Sequence, residues 1–243
     1  MRALLIAGLL PLAACTVHSG DVDDGVPGIA AQGTGNTRTY QAADFTAVDL
    51  RGADNVDVRV GPGFSVRADG DSELLDHLKI SRVGNALRIA RTRTGGWSWN
   101  GDHARISVTM PALSEISVAG SGDVTADRAQ GNAFTAAVAG SGNLTVGTLA
   151  VDRAEVSLAG SGNAKLAGTA KQLQVRVAGS GDVEAEGLTA TQAEVSVAGS
   201  GNVRATVNGP AKVSVMGSGD VDLGGKAQCQ TSKMGSGTVR CGG

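Results

Sequence analysis

The feature that most constrains this chain is a five-residue corner that recurs along its second half. It reads Ala-Gly-Ser-Gly-Asp at Ala119 to Asp123, and its leading glycine, Gly120, returns as Gly140, Gly160, Gly179, Gly199, Gly217 and Gly235. The spacings between leading glycines are 20, 20, 19, 20, 18 and 18 residues. Self-similarity at such a period means supersecondary units that cannot bury an apolar side alone and must stack on one another.

Aligned on the leading glycine, the copies alternate. Val118, Val138, Leu158, Val177, Val197 and Val215 stand two residues before it, and Ile116, Ala136, Val156, Val175, Val195 and Val213 four before. Four residues after it come Val124, Leu144, Ala164, Val183, Val203, Val221 and Val239, and six after it Ala126, Val146, Leu166, Ala185, Ala205 and Leu223. Polar residues such as Ser117, Ser157, Thr125 and Thr145 fill the places between. Period two means strand, apolar on one side and polar on the other.

The second glycines are Gly122, Gly142, Gly162, Gly181, Gly201 and Gly219. The pattern predicts a tight turn in which both glycines, the second more than the first, adopt a backbone angle costly for a residue with a Cβ. Asp123, Asn143, Asn163, Asp182, Asn202 and Asp220 follow, and Asx side chains cap such turns. About seven coils at the strand spacing of about 4.8 Å make a rod of roughly 34 Å. The expectation is an all-β, single-domain β-solenoid with regular repeats over residues 112–241 and irregular coils before them. A hydrophobic content of 41% with only 2% aromatics suits a narrow interior of Val, Ala and Leu.

The N-terminus has one basic residue, Arg2, an apolar run from Ala3 to Leu10, and then Leu12-Ala13-Ala14-Cys15. A basic start, a short hydrophobic run and small residues before a cut describe an export signal over residues 1–14. With cysteine next, the motif resembles the lipobox of bacterial lipoproteins. That resemblance implies cleavage before Cys15 and acylation of Cys15, and several acyl chains anchor stably. By analogy with enterobacterial sorting, Thr16 permits transfer to the outer membrane. The expected location is the cell envelope, on the periplasmic face of the outer membrane or at the cell surface. Residues 15–39 read as a lipidated flexible tether, rich in Gly, Asp, Thr and Ser. Within it Asp21, Asp23 and Asp24 read as solvated linker, since they lack the remaining oxygen ligands of a calcium loop.

The folded body is expected from residue 40 to 243. Its first part carries strand patterns at Val48 and Leu50, at Val56, Val58 and Val60, and at Phe64 and Val66, and a short helix over Asp71 to Leu78. Gly84-Asn85 turns the chain, and Arg51-Gly52-Ala53-Asp54-Asn55-Val56 reads as a degenerate corner. The order of Phe45, Leu74-Leu75, Gly84 to Ile89, Val108 to Pro111 and the reiterated Val-Ala-Gly-Ser-Gly-Asp/Asn-Val resembles the family called putative auto-transporter adhesin, head GIN domain, a family also labelled a domain of unknown function. The resemblance covers residues 44 to 241. It implies a right-handed parallel β-helix in a cell-envelope setting and supplies no catalytic residues. This chain departs from the label in having no membrane β-barrel segment.

Cys229 lies six residues before Gly235 and Cys241 six after it, both on inward registers. In an oxidising compartment such a pair at the chain's end reads as a disulfide, the alternative being two unbridged buried thiols. Two tryptophans, Trp97 and Trp99, alternate in a Gly-flanked loop, which places both indoles on one side of an extended strand. They serve either as a plug for the open N-terminal end, the preferred reading, or as a platform for a sugar ring or partner protein. His18, His77 and His103 share no motif, no metal-ligand spacing is present, and the corner serines form a uniform ladder. No catalysis and no cofactor are expected. A calcium-binding nonapeptide repeat has half this period, and Asn stands in three of the six Asx places, so an Asp and Asn ladder is the expected reading. With a net charge of −2 and mixed signs there is no basic face for nucleic acid. The function expected is a non-catalytic, lipid-anchored scaffold, adhesion or binding module, with a carbohydrate-binding or carbohydrate-active β-helix as the alternative. Its expected partners are the membrane, through the anchor, and an envelope glycan or protein.

Overall fold

The computed structural model describes residues 25–92 and 103–242. Among the described residues eighteen strands form one continuous sheet, with one short helix beside it. The regular part begins with β9 (Glu115–Gly120) and continues through four strands that each wrap most of a coil. These are β10 (Val124–Gly140), β11 (Leu144–Gly160), β12 (Ala164–Gly179) and β13 (Val183–Gly199). Later coils break into shorter pieces: β14 (Val203–Val207), β15 (Pro210–Gly217), β16 (Val221–Gly225), β17 (Gln228–Met234) and β18 (Val239–Cys241). Every coil pairs in parallel with the next, and like residues meet: Val138 lies opposite Val118 and Leu158, and Gly140 opposite Gly120 and Gly160.

The expected corner holds, with one correction. The first glycine carries the positive φ, +125° to +135° from Gly120 to Gly217 and +127° at Gly235, and the second does not. The second is required by proximity: a Cβ on Gly162 would lie 2.1 Å from the carbonyl oxygen of Gly142 in the coil before. The corner is therefore tight because coils nearly touch there. From Gly120 to Gly199 the carbonyl of the first glycine accepts the N–H groups of the next corner's serine and second glycine, as from Ser141 (2.9 Å) and Gly142 (3.0 Å) to Gly120. Gly217 accepts, among the described residues, from Gly237 alone at 3.3 Å.

Between corners each regular coil turns twice more without leaving the sheet. In β11 the inward and outward alternation skips at Gly147-Thr148 and again at Asp152-Arg153, where two consecutive residues face solvent. The skips separate three inward runs: Leu144 and Val146; Leu149 and Val151; and Ala154, Val156 and Leu158, all buried. The missing residue of the 19-residue coil is absorbed at the first of these bends, where the register shifts between Val146 and Leu149. The next shortening falls at the same bend, between Ala185 and Thr189. One residue is regained at the second bend, where Ala190 pairs with Val207 but Ala193 with Ala211, so length varies at the bends and the corner stays in line.

The N-terminal part consists of β1 (Ala31–Gln32), β2 (Thr37–Tyr40), β3 (Ala47–Gly52), β4 (Asn55–Val60), β5 (Ser65–Asp69), α1 (Ser72–Asp76), β6 (Leu78–Val83), β7 (Ala86–Arg91) and β8 (Arg105–Met110). Its layers are not stacked in chain order. Strands β3 and β4 lie between β7 and β8 on one side and β9 and β10 on the other, all parallel. Gly52, at φ +142°, stacks under Gly120, so the degenerate corner is the first corner of the series. The far end is closed by antiparallel strands, β5 on β8, β2 on β5 and β6 on β7. Asp71 caps α1 by accepting from the Glu73 N–H at 2.9 Å, and Leu74 and Leu75 are buried under it. Phe45 and Phe64 meet there with ring centroids 4.9 Å apart.

The expected tether is shorter than its composition indicates. Ala31–Gln32 pairs with Thr39 and Tyr40, and β2 is hydrogen-bonded to β5, so the folded body begins before residue 40. Glycine-rich composition hid these strands because each is short and only Arg38 and Tyr40 of β2 are buried.

The C-terminal end is treated differently. In β17 the residues opposite Ala211, Val213 and Val215 are Cys229, Thr231 and Lys233, and the apolar row stops one coil before the end. A strand edge with an inward-pointing charge resists pairing with another chain.

Candidate functional site

The corner residues after each second glycine form a continuous ladder. The side-chain oxygen of each accepts the backbone N–H one coil on: Asn143 to Asp123 at 3.0 Å, Asn163 to Asn143 at 3.2 Å, Asp182 to Asn163 at 3.1 Å and Asn202 to Asp182 at 2.8 Å. Asp220 to Asn202 at 3.0 Å and Thr238 to Asp220 at 2.7 Å complete the row. Two acids never occupy neighbouring rungs, where like charges would sit one strand spacing apart. The Thr238 hydroxyl and then its N–H donate to Asp220 and hold that carboxyl below its ordinary range. These oxygens bind the chain to itself. Among the described residues no group of three His, Cys, Asp or Glu side chains is placed to hold a metal.

Cys229 and Cys241 are joined in a disulfide, with Cα atoms 6.1 Å apart. It crosses the last coil at the place where Ala211 and Leu223 fill the coil before.

Buried ion pairs at the N-terminal end are a feature the sequence reading missed. Asp54 occupies the place that the second glycine takes in later corners, and is fully buried. Its carboxylate accepts the Ala104 N–H at 2.8 Å and pairs with the Arg91 guanidinium. Asp49 accepts from Arg88 at 2.8 Å and from Arg51 at 3.1 Å. The available signal was an acid in the glycine place of the degenerate corner. Such a side chain fits only where no like corner lies beneath, and there it needs a cation.

One channel of about 730 Å³ runs across the later coils. Its walls are two rows of outward residues: Arg153, Gln172, Gln192, Pro210 and Gln228 on one side, and Gln174, Glu194, Lys212 and Gln230 on the other. The buried residues Leu173, Ala193 and Ala211, with half-buried Cys229, lie between them. Arg153 Nε donates to Gln172 Oε1 at 3.1 Å, and Gln174 Nε2 to Glu194 Oε2 at 3.3 Å. No sequence pattern marks this channel, because it forms only when side chains from several coils stand side by side.

Cys15, Trp97 and Trp99, together with the acidic run at Asp21, Asp23 and Asp24, lie outside the described residues.

A single wound sheet with a corner ladder, a closed N-terminal end and a polar channel defines a β-solenoid module. The chain belongs to the family described as "Putative auto-transporter adhesin, head GIN domain", whose model matches residues 44–227. Among solved structures it is similar to a "putative adhesin" from Bacteroides fragilis, at 24% identity and a TM-score of 0.79, covering 84% of this chain and 95% of that one. It is also similar to a "putative lipid binding protein" from Parabacteroides distasonis, at 24% identity and TM-score 0.67, covering 86% and 97% of the two chains. A "putative adhesin" from the same organism matches at 22% identity and TM-score 0.60, again over 86% and 97%. At these identities the likeness shows a shared fold. Among curated proteins, none matches the chain at a comparable level.

Proposed function

We propose that this chain is a non-catalytic lipoprotein of the cell envelope whose solenoid works in adhesion, fixed to a membrane through acylated Cys15. The observation that carries the reading is the register of the stack. One dry core and one corner ladder hold every coil in line, so the outward polar rows recur at a fixed step on a rigid body. A surface of that kind suits repeated weak contacts, whose sum exceeds any one of them. The family description, and the description of two fold neighbours as adhesins, support the same reading. Among the described residues no helix is long and apolar enough to cross a membrane, so attachment in this proposal rests on the lipid.

Two measurements test it. Cys15→Ser should move the protein from the membrane fraction to the soluble fraction of fractionated cells; retention with the membranes would remove the anchor from the proposal. Particles coated with the full chain should hold to isolated envelope material more firmly than particles coated with an unrelated β-protein. Equal retention would remove the adhesive role.

A further inference from the structure

The channel across the later coils is not needed for stacking. Its two walls stand two residues apart in each coil, and like residues of adjacent parallel coils lie about 4.8 Å apart, so the wall groups repeat at that step along the solenoid axis. The repeated group is an amide. Gln172, Gln192 and Gln228 stand on one wall, Gln174 and Gln230 on the other. Each glutamine both donates and accepts. Gln172 uses only its oxygen within the chain, Gln174 only its nitrogen, and the side chains of Gln192, Gln228 and Gln230 make no hydrogen bond among the described residues.

We propose that this channel binds a linear, uncharged polysaccharide lying along the solenoid axis, with one sugar residue over each coil. The inference rests on the adhesion reading and names the class of partner. An extended polypeptide advances by about 3.3 Å per residue and falls out of step with coils about 4.8 Å apart. One pyranose residue of an extended glycan advances by nearly one coil, and its hydroxyls both donate and accept, as the amides do. A polyanion or polycation would find no consistent counter-charge, because Glu194 stands between the cations Arg153 and Lys212 and the first two are already bonded to glutamines. Pro210 interrupts the amide wall with an exposed apolar ring, a surface suited to the C–H face of a sugar. The channel reaches β17, whose outer edge has no partner among the described residues, so a chain longer than the channel can continue past it.

The test uses the full chain in detergent, titrated with cellohexaose and chitohexaose and followed by calorimetry and amide NMR shifts. At least one hexasaccharide should bind, with shifts centred on the channel, and the matching disaccharide should bind about tenfold more weakly, since it spans fewer coils. Gln192→Ala with Gln230→Ala should weaken the hexasaccharide by about tenfold, as expected for two lost neutral hydrogen bonds. The melting temperature should stay unchanged, and Thr125→Ala with Thr145→Ala on another face should leave binding intact. The proposal is overturned if neither hexasaccharide saturates at millimolar concentration, if the glutamine pair has no effect, or if hexagalacturonate or an extended peptide binds the channel better. If coated particles still hold to envelope material while no oligosaccharide binds, the channel proposal falls and the adhesion reading stands.

Discussion

The first glycine of each corner is required by both backbone angle and proximity, since a Cβ on Gly140 (φ +125°) would lie 2.3 Å from the Gly120 carbonyl oxygen, and the second by proximity alone. Gly162 and Gly131, a glycine away from the corners, separate the two causes. At Gly162 the backbone angle is open to any residue, but an added Cβ would stand 2.1 Å from the Gly142 carbonyl oxygen. At Gly131 the φ of +133° disfavours a side chain while nothing lies within 4 Å. Gly162→Ala should therefore cost about 4 kcal/mol, in the range reserved for backbone clashes and buried defects. Gly131→Ala should cost about 1 kcal/mol, the low end for a sparsely populated backbone angle. Urea unfolding of the two variants decides it: equal midpoints would mean that proximity at the corner is not what selects glycine. Asp220 offers a second test. Its folded pKa is lowered, chiefly by the Thr238 hydroxyl, so its contribution to stability is present above the unfolded pKa and is lost as pH falls through the folded one. Thr238→Val should move the Asp220 carboxyl, followed by carbon-13 NMR, back up toward the ordinary aspartate range. An unmoved titration would mean that the ladder's hydrogen bonds do not set it.

Among the elements, the last coil is held least by packing. Strand β17 is exposed along nearly its whole length, and only Cys229 in it is half buried. The disulfide closes a loop of 12 residues, a constraint worth about 2–3 kcal/mol. Cys229→Ser with Cys241→Ser should remove amide exchange protection from β17 and β18 while β10 to β13 stay protected. A uniform loss along the solenoid would show that the coils unfold as one unit. The bond was legible because both cysteines fall on registers that alternation alone defines. So were the corner and the inward rows beside it, since period two survives there without interruption. The third face was not: Leu149 and Val151 are separated from both other runs by paired outward residues, which break the period that sequence pattern depends on. The order of the first layers was equally hidden. Nothing local to Val48 or Val56 says that β7 and β8 will lie on one side of them and β9 and β10 on the other. The Asp54–Arg91 pair that bridges those layers joins residues 37 apart. The channel was unreadable for the same reason, being made of side chains that are neighbours only through stacking.

Considered whole, the molecule is a stack with two unlike ends. The N-terminal end is finished with antiparallel strands and a capped helix over Phe45, Leu74 and Leu75. The C-terminal end keeps a strand edge that has no partner among the described residues, together with two exposed methionines, Met216 at 61% and Met234 at 70%. A bare parallel edge above an apolar core is a template for another copy, and the protection here is chemical. Where Val213 and Val215 point inward, the final coil places Thr231 and Lys233. A second copy laid on that edge would bury an ammonium group without a counter-ion, a cost that outweighs the backbone hydrogen bonds gained. Thr231→Val with Lys233→Val removes that cost and carries the valine rows to the end of the stack. The double variant should self-associate in a concentration-dependent way, read as an increase in sedimentation coefficient over the wild-type chain at matched concentration. Adding back the charge alone, in Thr231→Val, should restore wild-type sedimentation. If the double variant sediments as the wild type does, then the inward lysine is not what keeps the stack from growing, and the disulfide-bridged last coil must end it by shape alone.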